Sequence, residues 1–182
     1  AHGRDEIGQL AGAFDEMATA LHARNTEFER VMEALGDSEE RFRALVETTS
    51  DWIWEVDARG VYTYASPKVR ELLGYAPEEV VGKTPFDFMP PDEAAKVGRQ
   101  FAEIAAARKP FERLENVNLH KDGRRVVIET SGVPIFDHEG KLAGYRGVDR
   151  DITERVKAHA KLQYLAYHDE LTDLPNRALL LD

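Results

Sequence analysis

The sequence contains no cysteine, which excludes disulfides, thiolate zinc sites, iron–sulfur clusters and thiol-based catalysis or photochemistry. No apolar run is long enough to cross a bilayer, and the N-terminus lacks the apolar core of a signal peptide. Basic residues are scarce relative to acidic ones, 24 against 34, for a formal charge of −10. That surplus argues against a general affinity for nucleic acid or anionic lipid. There is no glycine-rich phosphate loop, and no serine–histidine or carboxylate pair is spaced for catalysis. The six histidines (His2, His22, His120, His138, His159 and His168) are not paired at ligand spacing, so no metal site is expected. Proline is missing from Arg4 to Thr49, which leaves that stretch free to be one long helical region.

What remains is 182 residues, 42% hydrophobic and 32% charged. This suffices for one domain of ordinary size plus exposed helical segments. The abrupt start and finish suggest a piece of a longer protein. Within the proline-free stretch, Ile7, Phe14, Leu21, Phe28, Leu35 and Phe42 recur at heptad spacing. Leu10, Met17, Val31 and Leu45 fall on the companion series, which Arg24 and Ser38 interrupt. Such a stripe calls for a partner helix, most simply the same helix of a second copy in a parallel coiled coil; the alternative is a helix folded back on its own domain. Gly36-Asp37-Ser38 reads as an interruption, with Asp37 and Glu40 as the N-cap and reciprocal partner of a new helix in the same heptad phase.

Residues 3 to 17 resemble the second helix of a HAMP domain, through Asp5-Glu6-Ile7-Gly8 and Phe14-Asp15-Glu16-Met17. The resemblance implies a parent protein with a membrane anchor, of which this chain would be a cytoplasmic portion beneath an inner membrane.

From Asp51 the periodicity changes. Trp52, Trp54 and Val56 alternate onto one face of a first strand, and a turn at Ala58-Arg59-Gly60 leads to a second strand, Val61 to Ala65. Pro67, Pro77 and Pro91 announce short helices and then a longer one, Glu93 to Ala107. Three strands follow, Phe111 to Leu119, Arg124 to Ile135 and Lys141 to Arg150, with turns at Lys121-Asp122-Gly123 and Asp137 to Gly140. The predicted class is α+β, a five-stranded antiparallel sheet with helices on one face.

The order of Leu73-Gly74-Tyr75, Pro77-Glu78-Glu79, Gly82-Lys83, Lys121-Asp122-Gly123, Gly144 to Gly147 and Asp151-Ile152-Thr153 is similar to that of a PAS domain. In that family Asp151, Ile152 and Thr153 form the junction between the last strand and the outgoing helix, and the sheet encloses a cavity for haem, flavin, small organic acids, metal ions or nothing. Pro85 stands where a light-sensing member would carry its reactive cysteine, and residues 84–110 contain no histidine to ligate haem. No cofactor is predicted; a non-covalent flavin or a small metabolite stays open. Period two directs Trp54, Val56, Leu114, Asn116, Asn118, Val126, Ile128, Thr130, Tyr145 and Asp149 inward, and Phe86, Phe88, Met89 and Phe101 close the helical side. Asn118 and Asp149, aimed at an apolar interior, need partners: either each other or water, or a polar ligand.

Thr153 to Tyr167 reads as an outgoing helix. Leu165 to Leu180, with Asp169, Leu171-Thr172, Leu174 and Asn176-Arg177, resembles the opening of a GGDEF (diguanylate cyclase) domain, whose catalytic loop is not in this sequence. The domain reading is therefore HAMP end 1–22, coiled-coil linker 23–37, PAS 38–156, linker helix 157–168 and GGDEF start 169–182. The resemblance implies a homodimeric relay between membrane-side input and a cyclase in the same parent, and this polypeptide itself is not expected to be an enzyme.

Overall fold

The computed structural model describes the backbone of residues 3–167 and of Asn176, with side chains from Met17 onward apart from Ala18. The GGDEF-like residues at 169–175 and 177–182 lie outside the described residues, as do the side chains of Ile7, Leu10 and Phe14. The chain divides into two units, Ala1–Val46 and Glu47–Asp182.

Helix α1 runs unbroken from Gly3 to Thr48, 46 residues or about 70 Å. The interruption expected at Gly36-Asp37-Ser38 is absent, and the reason is energetic. One glycine in a helix costs about 1 kcal/mol relative to alanine, whereas a break leaves two sets of terminal amides and carbonyls unsatisfied and requires a second nucleation. Gly36, Asp37 and Ser38 are all exposed, so nothing else forces a bend there. Along α1 the heptad residues Met17, Leu21, Phe28, Val31, Leu35, Phe42 and Leu45 are exposed by 55–64%.

The second unit is a five-stranded sheet in the order β2-β1-β5-β4-β3, antiparallel at every pairing. Its strands are β1 (Trp52–Asp57), β2 (Tyr62–Ala65), β3 (Phe111–Leu119), β4 (Arg125–Phe136) and β5 (Leu142–Asp151). Between β2 and β3 lie α2 (Val69–Leu73), α3 (Pro77–Val80), a 3₁₀ turn (Pro85–Phe88) and α4 (Pro91–Ala107); α5 (Thr153–Tyr167) leaves after β5. The hairpin turns share one device. Asp57 accepts the amides of Arg59 and Val61, Asp122 that of Arg124, and Asp137 those of Glu139 and Lys141, all at 2.9–3.0 Å.

The core joins the inner face of the sheet to the helices. Trp52, Trp54, Val56, Tyr62, Val126, Ile128 and Tyr145 are buried against Val69, Leu73, Val80 and Phe88. Tyr62 meets Trp52 at 5.5 Å and Phe88 at 6.3 Å between ring centroids, and Phe101 meets Tyr145 at 5.3 Å. Gly74 ends α2 at φ +79°, and a Cβ there would stand 2.6 Å from the imidazole of His120. The Lys121 amide donates to the Leu73 carbonyl at 2.8 Å. The Leu73-Gly74-Tyr75 motif is thus a seat for the β3–β4 turn.

A polar chain in an apolar cavity

Trp54 sits opposite Gly147 on β5, and Gly147 sits opposite Gly132 on β4. A Cβ at Gly147 would collide with the Trp54 indole and the Ser131 carbonyl, and one at Gly132 would lie 3.3 Å from the same indole. The two glycines therefore form a flat bed on which the indole lies across the sheet. Lying there, its Nε1 donates to Asp149 Oδ1 at 2.8 Å.

Asp149 is also the end of a directed hydrogen-bond chain. Asn118 Nδ2 donates to Asn116 Oδ1 at 2.6 Å, and Asn116 Nδ2 donates to Thr130 Oγ1 at 2.9 Å and to the Leu114 carbonyl at 3.1 Å. Thr130, whose oxygen accepts from Asn116, bonds through its hydroxyl to the Asp149 carboxyl. The direct Asn118–Asp149 bond considered from the sequence is replaced by this relay through Asn116 and Thr130. Asn116, Asn118 and Asp149 are each buried, at 3–5% exposure. Burial pushes the Asp149 carboxyl up to about 7, against the opposing help of Trp54 and Thr130, and the nearby Asp51 adds to the rise. The same burial pushes the Tyr62 phenol well above its ordinary value, with Asp149 contributing.

These groups border a cavity with about 50 Å³ open to the centres of water molecules. Of the residues expected to face it, Trp54, Val56, Met89, Phe101, Asn116, Asn118, Thr130 and Asp149 do, together with Leu114 and Phe86. Phe88, Ile128 and Tyr145 do not join the lining. Phe88 packs between Tyr62 and Tyr75, Ile128 is fully enclosed in the sheet, and the Tyr145 hydroxyl donates to the carbonyls of Ile104 and Lys109 at 3.2 and 3.3 Å. Gly60, Tyr62, Pro85, Val97 and Phe111 line the cavity without having been expected to. Phe111 was hidden by a bulge: the register of β3 shifts between Phe111 and Leu114, which upsets the period-two count. Among the described residues no group of three or more histidine, aspartate or glutamate side chains converges as a metal site would require.

Two residues beyond Asp149, at the C-terminal end of β5, Asp151 accepts the Thr153 amide at 2.8 Å, and Thr153 Oγ1 accepts the Val127 amide at 2.9 Å. The Ile152 amide donates to the Val127 carbonyl at 3.0 Å, and the Ile152 side chain is buried. Arg155 donates to Glu129 at 3.0 Å. The first turn of α5 is thereby stitched to β4. At its last turn, Asn176 donates its backbone amide to the Tyr167 carbonyl and its side-chain amide to the Ala166 carbonyl, at 2.8 and 2.9 Å.

Residues 46–157 match the sequence model of the PAS fold. The chain belongs to the PAS family. Residues 1–23 match the HAMP domain model. An uncharacterized protein of Sinorhizobium fredii is 32% identical over 158 residues, 83% of this chain and 19% of that protein. A diguanylate cyclase of Vibrio cholerae is 28% identical over 185 residues, 96% of this chain and 49% of that one. Among solved structures, a PAS domain from Colwellia psychrerythraea superposes with a TM-score of 0.57 at 26% identity, covering 63% of this chain and 98% of that chain. The chain thus spans from about a fifth to half the length of these two curated relatives. A PAS domain preceded by a HAMP segment is a sensor module of signalling proteins. Among the described residues, no helix is long and apolar enough to cross a membrane.

Proposed function

We propose that this PAS module is a dimeric relay, passing a conformational signal from a membrane-side HAMP input through the PAS domain and α5 to a diguanylate cyclase in the same parent. The supporting observation is α1: seven heptad residues from Met17 to Leu45 stand more than half exposed on one helix. Fully burying a side chain of this size is worth about 1.5–3 kcal/mol, so a parallel pairing of two α1 helices recovers what a lone helix leaves in water. Ile7, Leu10 and Phe14 extend the same series in sequence. The cyclase output is supported by the Vibrio cholerae relative and by the GGDEF-like pattern around Asp169 to Arg177. On this reading Asp151, Ile152 and Thr153 are the stiff joint through which β5 moves α5, and a bias of a few kcal/mol suffices to shift a two-state helix geometry.

Light scattering tests the pairing. The chain is expected to be a dimer, with Leu21→Asp and Phe28→Asp monomeric and still folded by circular dichroism. Dimers that persist in both variants overturn the seam.

A second reading makes the cavity the input. Its support is the buried Asp149 carboxyl at the end of a polar chain. The volume favours a small ligand over a flavin: it equals about three to five waters, and a three-ring system enters only if the core opens.

A further inference from the structure

We infer that the cavity is built for a small organic cation, a methylated or primary ammonium of about three to five non-hydrogen atoms, whose N–H⁺ sits on Asp149 and whose carbon substituents lie against the aromatic walls. The inference rests on the reading of the cavity as a sensory site and is separate from the pairing of α1.

Three observations carry it. The first is charge. Asp149 is the one carboxyl among the described lining residues, which include no lysine, arginine or histidine. A cavity with a carboxylate and no cation of its own rejects anions and attracts the missing charge. The second is direction. Asn118 donates to Asn116, Asn116 donates one hydrogen to Thr130 and another to the Leu114 carbonyl, and Thr130 and Trp54 bond to the Asp149 carboxyl, so the chain of donors ends on Asp149. Two donors leave part of a carboxylate's roughly four acceptor positions open, and a donor from a ligand completes them. The third is the wall. Trp54, Tyr62, Phe86, Phe101 and Phe111 all border the space, and aromatic faces stabilise ammonium groups by cation–π attraction, most strongly where water is excluded.

The remaining groups around Asp149 do not supply the cation. Asp51 faces it from the start of β1 and repels its charge. On its other side a surface crevice holds Lys68, Glu71 and Asp151. The Lys68 ammonium there is bound by Glu71 at 2.5 Å. From β2 the Tyr62 phenol stays protonated, and β3 and β4 contribute only the neutral Asn116, Asn118 and Thr130. Because burial holds Asp149 protonated up to about pH 7, a cation binds the ionised minority below that pH. Apparent affinity then scales with the ionised fraction, roughly tenfold between pH 6 and pH 8.

Calorimetric titration and thermal shift with trimethylammonium, tert-butanol and acetate test this on the full chain. Trimethylammonium is expected to bind wild type about tenfold more tightly at pH 8 than at pH 6, and to bind Asp149→Asn at least tenfold more weakly than wild type at pH 8. Neutral tert-butanol and acetate are expected to give no pH-dependent shift. No trimethylammonium binding at pH 8, equal binding to Asp149→Asn, or tighter binding of acetate each overturns the ligand class. If the α1 dimer survives any of these outcomes, the relay stands without this ligand; if the dimer is also lost, that reading fails on its own measurement.

Discussion

Trp54 Nε1 and Asp149 Oδ1 lie 2.8 Å apart, one on β1 and one on β5, and this bond is where the fold and the cavity meet. The indole reaches the carboxyl because Gly147 and Gly132 clear the sheet beneath it. The carboxyl in turn stands two residues before Asp151, the start of the α5 junction. A change in the charge state of Asp149 therefore acts on a strand whose C-terminal end, two residues further on, is tied to the outgoing helix.

The raised Asp149 value is a statement about stability. In the unfolded chain this group titrates near 3.8, and in the folded chain near 7. Its protonated form is the one the fold favours. Its contribution is thus fully present below about pH 4 and is lost as pH rises through 7, a decline of roughly 4 kcal/mol. Asp57 and Asp122 behave oppositely: backbone amides of Val61 and Arg124 hold them below the ordinary value, so their contribution is lost only in acid. Asp149→Asn keeps an acceptor for Trp54 and removes the charge. It is expected to flatten the stability decline between pH 4.5 and 7.5 and to be more stable than wild type by about 1–3 kcal/mol at pH 8. Urea denaturation at a series of pH values checks it; parallel curves for the two proteins would count against a buried, titrating Asp149.

The glycine bed predicts an asymmetry between two alanine substitutions. At Gly147 the added methyl meets a backbone carbonyl and the indole, neither of which can yield cheaply. At Gly132 it meets the edge of the Phe111 ring at 2.8 Å, on a half-buried side chain that can rotate away. Gly147→Ala is expected to cost about 3 kcal/mol or more, and Gly132→Ala about 1–2 kcal/mol. Thermal denaturation ranks them, and equal losses would contradict the described packing.

The stitch at Thr153 gives a sharper test. Thr153→Val keeps the shape and removes the acceptor of the Val127 amide. A loss of about 1–2 kcal/mol is expected, with Thr153→Ser close to wild type. Hydrogen exchange should show the Val127 amide losing protection in the valine variant only. Unchanged protection would mean that the amide is held by some other group.

Much of this was legible beforehand, for identifiable reasons. Trp52, Trp54 and Val56 alternate without interruption, so their face was fixed by period two. The aspartates of the turns and Asp151 announce themselves chemically, because a carboxylate a few residues before free amides readily accepts from them, whereas the partner of the Thr153 hydroxyl, the Val127 amide on another strand, has no such local mark. Gly36 misled because local signals describe the penalty of continuing a helix and not the larger penalty of stopping it. Phe111 was missed because a bulge changes parity without a compositional mark. Gly132 was readable in principle: a glycine inside a strand signals a close approach by something large, and Trp54 is the residue that needs it. The order of donors from Asn118 to Asp149 had no sequence signal at all, since it depends on side-chain orientations across three strands.

Asp51 offers a way to separate packing from electrostatics at Asp149. It accepts three hydrogen bonds from Arg150, the shortest at 2.8 Å, with the guanidinium exposed and the Asp51 carboxylate mostly buried. Its second effect is to oppose the ionisation of Asp149, more weakly than the Trp54 hydrogen bond assists it. Asp51→Asn should therefore move the Asp149 midpoint to lower pH, and Trp54→Phe should move it to higher pH by a larger amount. Carboxyl carbon-13 NMR on the folded protein reads both midpoints directly. Loss of packing in Trp54→Phe changes stability but supplies no reason for a carboxyl midpoint to rise. Shifts in one common direction would mean that desolvation alone governs the site and that neither neighbour acts on the charge.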